Sequence, residues 1–353
     1  MAQQARKEAP RSAPELLSVP TRLEIRPEVF ITSQRMARLY LASDESNVLL
    51  SVYQRMRRNP FSPFAMGYDL ALRGIRQSNV SPQVFGWARE MNDWFGQDVL
   101  GPDVAGRFSN YPPFFASPSA RYQRLAFSAH GIDIQAEYHP HTNLILLFSH
   151  YLPNAAMKGP AYEANARNLL AHEIFHYASF LGGGGTAFRW RERSGRRDGR
   201  ICSWLHEGLT ELHAQQLTRS RGFSPTVVAY PHETSVSFLL QQLVILGVAA
   251  DPSLMGRQAM RDSGRAALRG DMHEAARITE RRGMEVLRQA YLSGDFTSVR
   301  NIVNRALGAG AFETLIAQRD GASALAYLEG RLERSGIDYE RWYRNDPVMR
   351  LIE

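Results

Sequence analysis

Hydrophobic positions recur at helical spacing over most of this chain, with one short interruption of strand-like alternation. From residue 27 to about 101, Val29, Met36, Leu39 and Tyr40, and then Val48, Leu49, Val52, Tyr53 and Met56, follow a 3.6-residue period. Asn59-Pro60 and Ser62-Pro63 interrupt it. Two further amphipathic pieces fall at 66–75 and 84–95, and the aromatic stripe of Trp87, Trp94 and Phe95 reads as core rather than as a binding platform. Residues 102–120, rich in Pro, Ser and aromatics, read as a linker. Residues 132–138 alternate with period two, 139–143 read as a turn and 144–148 as a second, more buried strand. A helix is then predicted over 161–181, with Leu170, Ile174, Tyr177 and Leu181 as its apolar stripe, ended by the four glycines 182–185. Leu205, Leu209 and Leu212 mark another helix, 236–246 a third, and helical periodicity resumes from about residue 266.

This pattern predicts an α+β fold, mostly helical, with a small antiparallel sheet. Its expected parts are a loosely attached arm over 1–26, a helical N-terminal region over 27–120, a catalytic core over 121–250 and a helical C-terminal region over 251–353. The arm, with Pro10, Pro14 and Pro20, reads as a solvated tail or as a recognition tag.

Composition narrows the class. The chain has 353 residues, is 44% hydrophobic and 22% charged, and carries a net charge of +7. Nearly all of its basic residues are arginine, Lys7 and Lys158 being the lysines. One cysteine, Cys202, excludes an internal disulfide framework and a thiolate-rich structural zinc site. No run of about 18 apolar residues stands out, so no transmembrane helix is expected. The first residues lack the apolar stretch of a secretory signal, so a cytoplasmic location is the default, with non-classical export open. The arginines at 186–200 read as a solvated charge run or a patch for acidic partners.

The chemistry concentrates in two segments. His172-Glu173-Ile-Phe-His176 is an H-E-x-x-H sequence inside a predicted helix. Residues four apart on a helix share a face, so both imidazoles can bind one ion, with Glu173 beside them on the exposed side. The second segment holds Glu207 and Glu211, again four apart. A tetrahedral catalytic zinc takes three protein ligands and keeps a position open; Glu207 would be the third ligand. Glu211, one turn on, can accept the free ring N–H of a ligating histidine and fix its tautomer. Gly208 lets this helix approach a neighbour closely. His206 and His213 are alternative ligands predicted to point away from the glutamate side; His139, His141 and His150 lie near the motif in sequence, and His139 and His141, with Pro140 between them, read as turn residues.

His172-Glu173-x-x-His176 followed by Glu207-Gly-Leu-Thr-Glu211 resembles the gluzincins, the thermolysin-like superfamily of zinc metallopeptidases, over roughly residues 130–245. The resemblance implies a zincin-like core in which His172, His176 and Glu207 bind Zn²⁺ and Glu173 is the general base. The activity it implies is zinc-dependent endopeptidase chemistry, a zinc-bound water attacking a peptide bond of a protein or peptide substrate with help from Glu173. The oxyanion of such a reaction needs a further donor. Tyr230 is the first candidate and His232 the second, just before the helical run 236–246; either could instead be an ordinary loop residue. The strand 144–148 could offer an edge to an extended substrate. The connection between the two motif helices is longer and richer in Gly and Arg than in thermolysin, and the N-terminal half does not read as thermolysin's. Rival readings are a catalytically weak zincin-fold binding module and an effector protease delivered to another cell. A nucleic-acid binder is disfavoured, because the arginines accompany no recognisable reading helix.

Overall fold

The computed structural model describes residues 82–99, 114–116, 136–139, 144–147, 159–181 and 203–352. The expected arm, the helical pieces before residue 82, most of the linker 102–120, His141, His150 and the arginine run 186–200 lie outside these residues, and of His139 only the backbone lies within.

The first described helix, α1 (Pro82–Asp98), buries Val84, Trp87, Ala88, Met91 and Phe95, the side chains that fall on one face of a helix. That face packs on α2 (Pro160–Leu181), Phe95 meeting Phe175 edge to face at 4.8 Å. Arg167 of α2 clamps the pair. Its guanidinium pairs with Glu90 and Glu163, each at 2.7 Å, and lies over Trp87, Trp94 and Phe223 at 5.5, 5.2 and 4.4 Å.

Three short strands lie beside these helices: β1 (Phe114–Ala116), β2 (Ala136–His139) and β3 (Leu144–Leu147), in the order β1-β3-β2. β2 runs antiparallel to β3, Ala136 opposite Leu147; β1 runs parallel to it, Phe114 opposite Leu144. This corrects the expected fold class. The described part is mainly helical rather than α+β, and its strands form a mixed patch rather than an antiparallel sheet. The reason is length. Alternation predicts a half-buried strand over 132–138, but among the described residues only 4 each of β2 and β3 and only 3 of β1 pair, too few to make a layer of their own. β3 is also flanked on both sides, so the strand expected to offer an edge to substrate is the central one.

Helices α3 (Ser203–Ser220) and α4 (Pro231–Ala250) complete the centre. α2 packs on α3, and α3 on α4. The last crossing is close because residue 208 is glycine: a Cβ there would meet the Glu233 carbonyl oxygen at 2.1 Å. α4 departs from the expectation of no membrane-length segment, since by length and composition alone it could cross a bilayer. Here it is a core helix, packed against α3 and three of the helices that follow.

The helices that follow α4 are α5 (Arg257–Leu268), α6 (Met272–Ser293), α7 (Thr297–Leu307), α8 (Ala311–Ile316), α9 (Gly321–Arg334) and α10 (Glu340–Asn345). Asp271 caps α6 by accepting from the Glu274 amide, and Gly294 ends it at φ 74°, a left-handed turn that favours glycine. α6, α7 and α9 pack on α4, so one hydrophobic core runs from Val84 to Met349.

Candidate metal centre

α2 is buried nearly all round, so the apolar stripe of Leu170, Ile174 and Tyr177 and the polar set of His172 and Glu173 are both covered. His172 and Glu173 are each 5% exposed, which corrects the placing of Glu173 on an exposed side. The helix is covered on its polar face by α3, which brings Glu207 and Glu211 against the two histidines.

His172 Nε2, His176 Nε2 and Glu207 Oε2 converge. The two nitrogens are 3.1 Å apart, His176 Nε2 lies 3.1 Å from the Glu207 oxygen, and His172 Nε2 lies 3.4 Å from it. The three residues could hold a metal ion. Donors at about 2.0–2.2 Å from a tetrahedral zinc lie about 3.3–3.6 Å from one another, so the triangle is close to the spacing such an ion imposes. Two nitrogens and one carboxylate oxygen also suit zinc or a similar transition metal better than magnesium or calcium, which prefer all-oxygen shells.

Glu211 organises the back of this triangle. It is 1% exposed, and its carboxylate accepts His172 Nδ1–H at 2.9 Å. A carboxylate can only accept, so the proton of a neutral His172 ring sits on Nδ1 and the Nε2 lone pair faces the triangle. The other Glu211 oxygen accepts from Asn168 Nδ2 and Gln215 Nε2, both at 2.9 Å, and from the Ala229 amide at 3.3 Å. One buried carboxylate thus orients a candidate ligand and tethers the backbone next to Tyr230.

The electrostatics favour positive charge at this point. Burial would lower the His172 pKa, but Glu207 and Glu211 bonding to the ring, with the charge of Glu173, raise it to about 10. Burial likewise opposes ionisation of Glu207, yet the neighbouring His176 and His172 rings hold it well below the usual carboxylate range. A proton or a metal cation would meet the same field.

Tyr230 lies over the site. Its ring stacks on that of His172 at a centroid distance of 5.9 Å and 20° between planes. It is the one non-glycine residue with positive φ among those described, at φ 53° and ψ 59°. An aromatic residue in the left-handed region is uncommon and strained. The Thr234 amide, donating to the Tyr230 carbonyl at 2.8 Å, and the Thr234 hydroxyl, donating to the Ala229 carbonyl at 3.0 Å, hold this turn at the start of α4. Burial, then the charges of Glu207, Glu173, Glu211 and Glu233, push the Tyr230 phenol above its ordinary pKa, so it remains a donor. His232 is exposed one residue inside α4, and no hydrogen bond or ring contact ties it to the cluster among the described residues.

The alternative ligands go elsewhere. His206 does not point away, as its ring packs 4.8 Å from that of His176, but its Nε2 engages Ser179 Oγ at 3.2 Å. His213 is buried between Phe175 and Tyr291, apart from the triangle. Tyr291 of α6 gave no sequence signal of a place beside this site. It packs on His206 and shares a 2.7 Å hydrogen bond with Thr210 Oγ1, bracing α3 from behind. Asn168 and Gln215 could have been found, since Asn168 lies one turn before His172 and Gln215 one turn after Glu211, each on the same helix face as its neighbour. Compared with family models, with curated proteins and with solved structures, the chain matches none of them.

Proposed function

We propose that this chain is a zinc-dependent endopeptidase of the gluzincin type, with His172, His176 and Glu207 as metal ligands and Glu173 as general base. The observation that carries the reading is the triangle of two ring nitrogens and a carboxylate oxygen at 3.1, 3.1 and 3.4 Å, next to a buried glutamate on the same helix. A zinc ion held by the three would supply Lewis acidity toward a peptide carbonyl and bring the pKa of a water toward about 7.

The rest belongs to the protein. Glu173 takes a proton from the attacking water and delivers it to the departing amine nitrogen, so that an amide and water become a carboxylate and an amine. Its burial keeps competing water away from that transfer. The Tyr230 phenol, protonated and positioned over His172, donates to the oxyanion that develops on the carbonyl oxygen. Glu211 holds the His172 tautomer and the Ala229–Tyr230 backbone together, so the ligand and the donor move as one.

Glu173→Gln tests the assignment. The amide keeps the shape and removes the base, so hydrolysis of an unstructured protein substrate falls by about 10²–10⁴-fold while bound zinc and melting temperature stay as they were. Undiminished hydrolysis in a zinc-loaded variant removes Glu173 from its role. Purified protein that takes up no zinc refutes the reading altogether.

A further inference from the structure

We infer that α5 and the turn after it form a docking surface for an anionic lipid bilayer. The surface shares no residue with the metal centre, and its argument does not depend on the proposed hydrolase activity.

α5 buries a single residue, Ala266, against the rest of the molecule. On the other side of the helix, Arg257, Arg261 and Arg265 recur every fourth residue, and Arg269 follows at its end; all four are exposed. At about 100° per residue the first three span about 80° of one face. Asp262, 3.9 Å from Arg265, is the one carboxylate ion-paired with this row among the described residues. Leu268 falls in azimuth between Arg257 and Arg261 and is 90% exposed, and Met272, just past the Gly270 turn, is 65% exposed.

A solvated charge run explains the arginines but not an aliphatic tip set among them. A row of guanidinium groups flanking projecting apolar side chains is the chemistry of an interfacial helix, the cations meeting phosphate headgroups and the aliphatic groups entering the acyl boundary. A nucleic-acid duplex would satisfy the arginines and leave Leu268 and Met272 without a partner. The arginine run at 186–200 has the same sign as this face, so the chain's other strongly charged stretch is not its complement.

The test is co-sedimentation of the full chain with vesicles of phosphatidylcholine alone and with about one-third phosphatidylserine, at low and high salt, beside duplex DNA as a competing polyanion. The inference expects binding to the anionic vesicles only, weakened by salt. Arg261→Glu with Arg265→Glu reduces it roughly thirtyfold or more, at about tenfold for each 1.4 kcal/mol and about 1 kcal/mol for each basic residue lost, with repulsion added. Leu268→Ser with Met272→Ser weakens it at every salt concentration and leaves the salt dependence in place. Because these side chains are exposed, the variants keep the parent's melting temperature. Equal binding to neutral vesicles, no binding to anionic ones, insensitivity to the charge reversal, or capture by DNA with vesicles ignored would each overturn it.

Discussion

The two halves of this core are built from different materials. Every buried polar or charged residue described, from Arg167 to Gln241, lies on α2, α3 or α4. From Asp251 onward the buried side chains that pack α6, α7, α8 and α9 are hydrophobic, apart from the Tyr291 hydroxyl that reaches back to Thr210. Burying polar groups costs free energy unless each finds a partner, and burying charge costs more. A fold that concentrates this cost in one place and leaves its other half apolar is spending stability on geometry there. The C-terminal half, by contrast, reads as packing that holds α4 and α6 against the polar centre. The comparison predicts that perturbing the polar half changes chemistry and pH response together, whereas perturbing the apolar half changes stability alone.

Acid should expose the difference most. Burial and then the charge of Arg288 push the His213 imidazole down to about 3, against only a weak hydrogen bond to Gln216. In the unfolded chain the same ring titrates near its ordinary value of about 6.5. Between those values the unfolded state binds a proton that the folded state refuses, so stability falls as pH drops from about 6.5 toward 3 and is untouched by this group above that window. The loss is on the order of 5 kcal/mol at 1.36 kcal/mol per unit. Urea denaturation as a function of pH measures it, and His213→Gln, which cannot titrate, should flatten that limb. An unchanged acid limb in the variant would show that the polar half gains no pH sensitivity from His213.

Glu211→Ala comes next, at about 3–5 kcal/mol, because it strands His172 Nδ1, Asn168 Nδ2 and the Ala229 amide at once and leaves the Gln215 amide only the Val227 carbonyl. In the folded protein it should also weaken zinc binding by about 10–100-fold, since the ring it orients is then free to rotate. Leu328→Ala, on α9 and fully buried, should cost about 3 kcal/mol through the cavity it leaves, with the zinc affinity of the folded protein unchanged. Chemical denaturation and metal titration on both variants decide the matter. If Leu328→Ala lowers zinc affinity as much as Glu211→Ala does, the halves are not separable and the comparison fails.

How much of this could be read in the sequence follows from the range of each interaction. The i, i+4 spacing of His172 and His176 dictates a shared face, and the pattern around them predicted a helix over 161–181 where α2 runs Pro160–Leu181. Gly208 announced a close crossing, and one exists. The meeting of Glu207 with the two histidines depends on how α3 crosses α2, which helical periodicity does not encode; the need of a tetrahedral zinc for a third ligand and the resemblance suggested it. The burial of Glu173 was hidden for the same reason, since periodicity shows one face per helix and α2 is covered on nearly all of them. The sheet failed differently. Alternation and a turn are real local signals, but whether a third strand joins, and in which direction, is settled by chain segments far away in sequence. Tyr291 falls in a run of helical periodicity, but that its carbonyl accepts from Ser179 across 112 residues is not encoded there.

The smallest expected effect is the most discriminating, because its two readouts should move in opposite directions. Tyr230 occupies left-handed backbone space at about 1–2 kcal/mol of strain for a side chain with a Cβ, at the one turn that joins the polar centre to α4. Its side chain is 45% exposed, so little core packing offsets that strain. Asparagine tolerates this conformation better. Tyr230→Asn should therefore raise stability by about 0.5–1 kcal/mol in chemical denaturation. It should at the same time lower hydrolysis by about tenfold or more, since the donor over His172 is gone. Strain retained where it harms the fold and helps the reaction marks a residue held for chemistry. A variant that is both less stable and fully active would show instead that Tyr230 serves the turn, and the oxyanion donor would have to be sought on another residue.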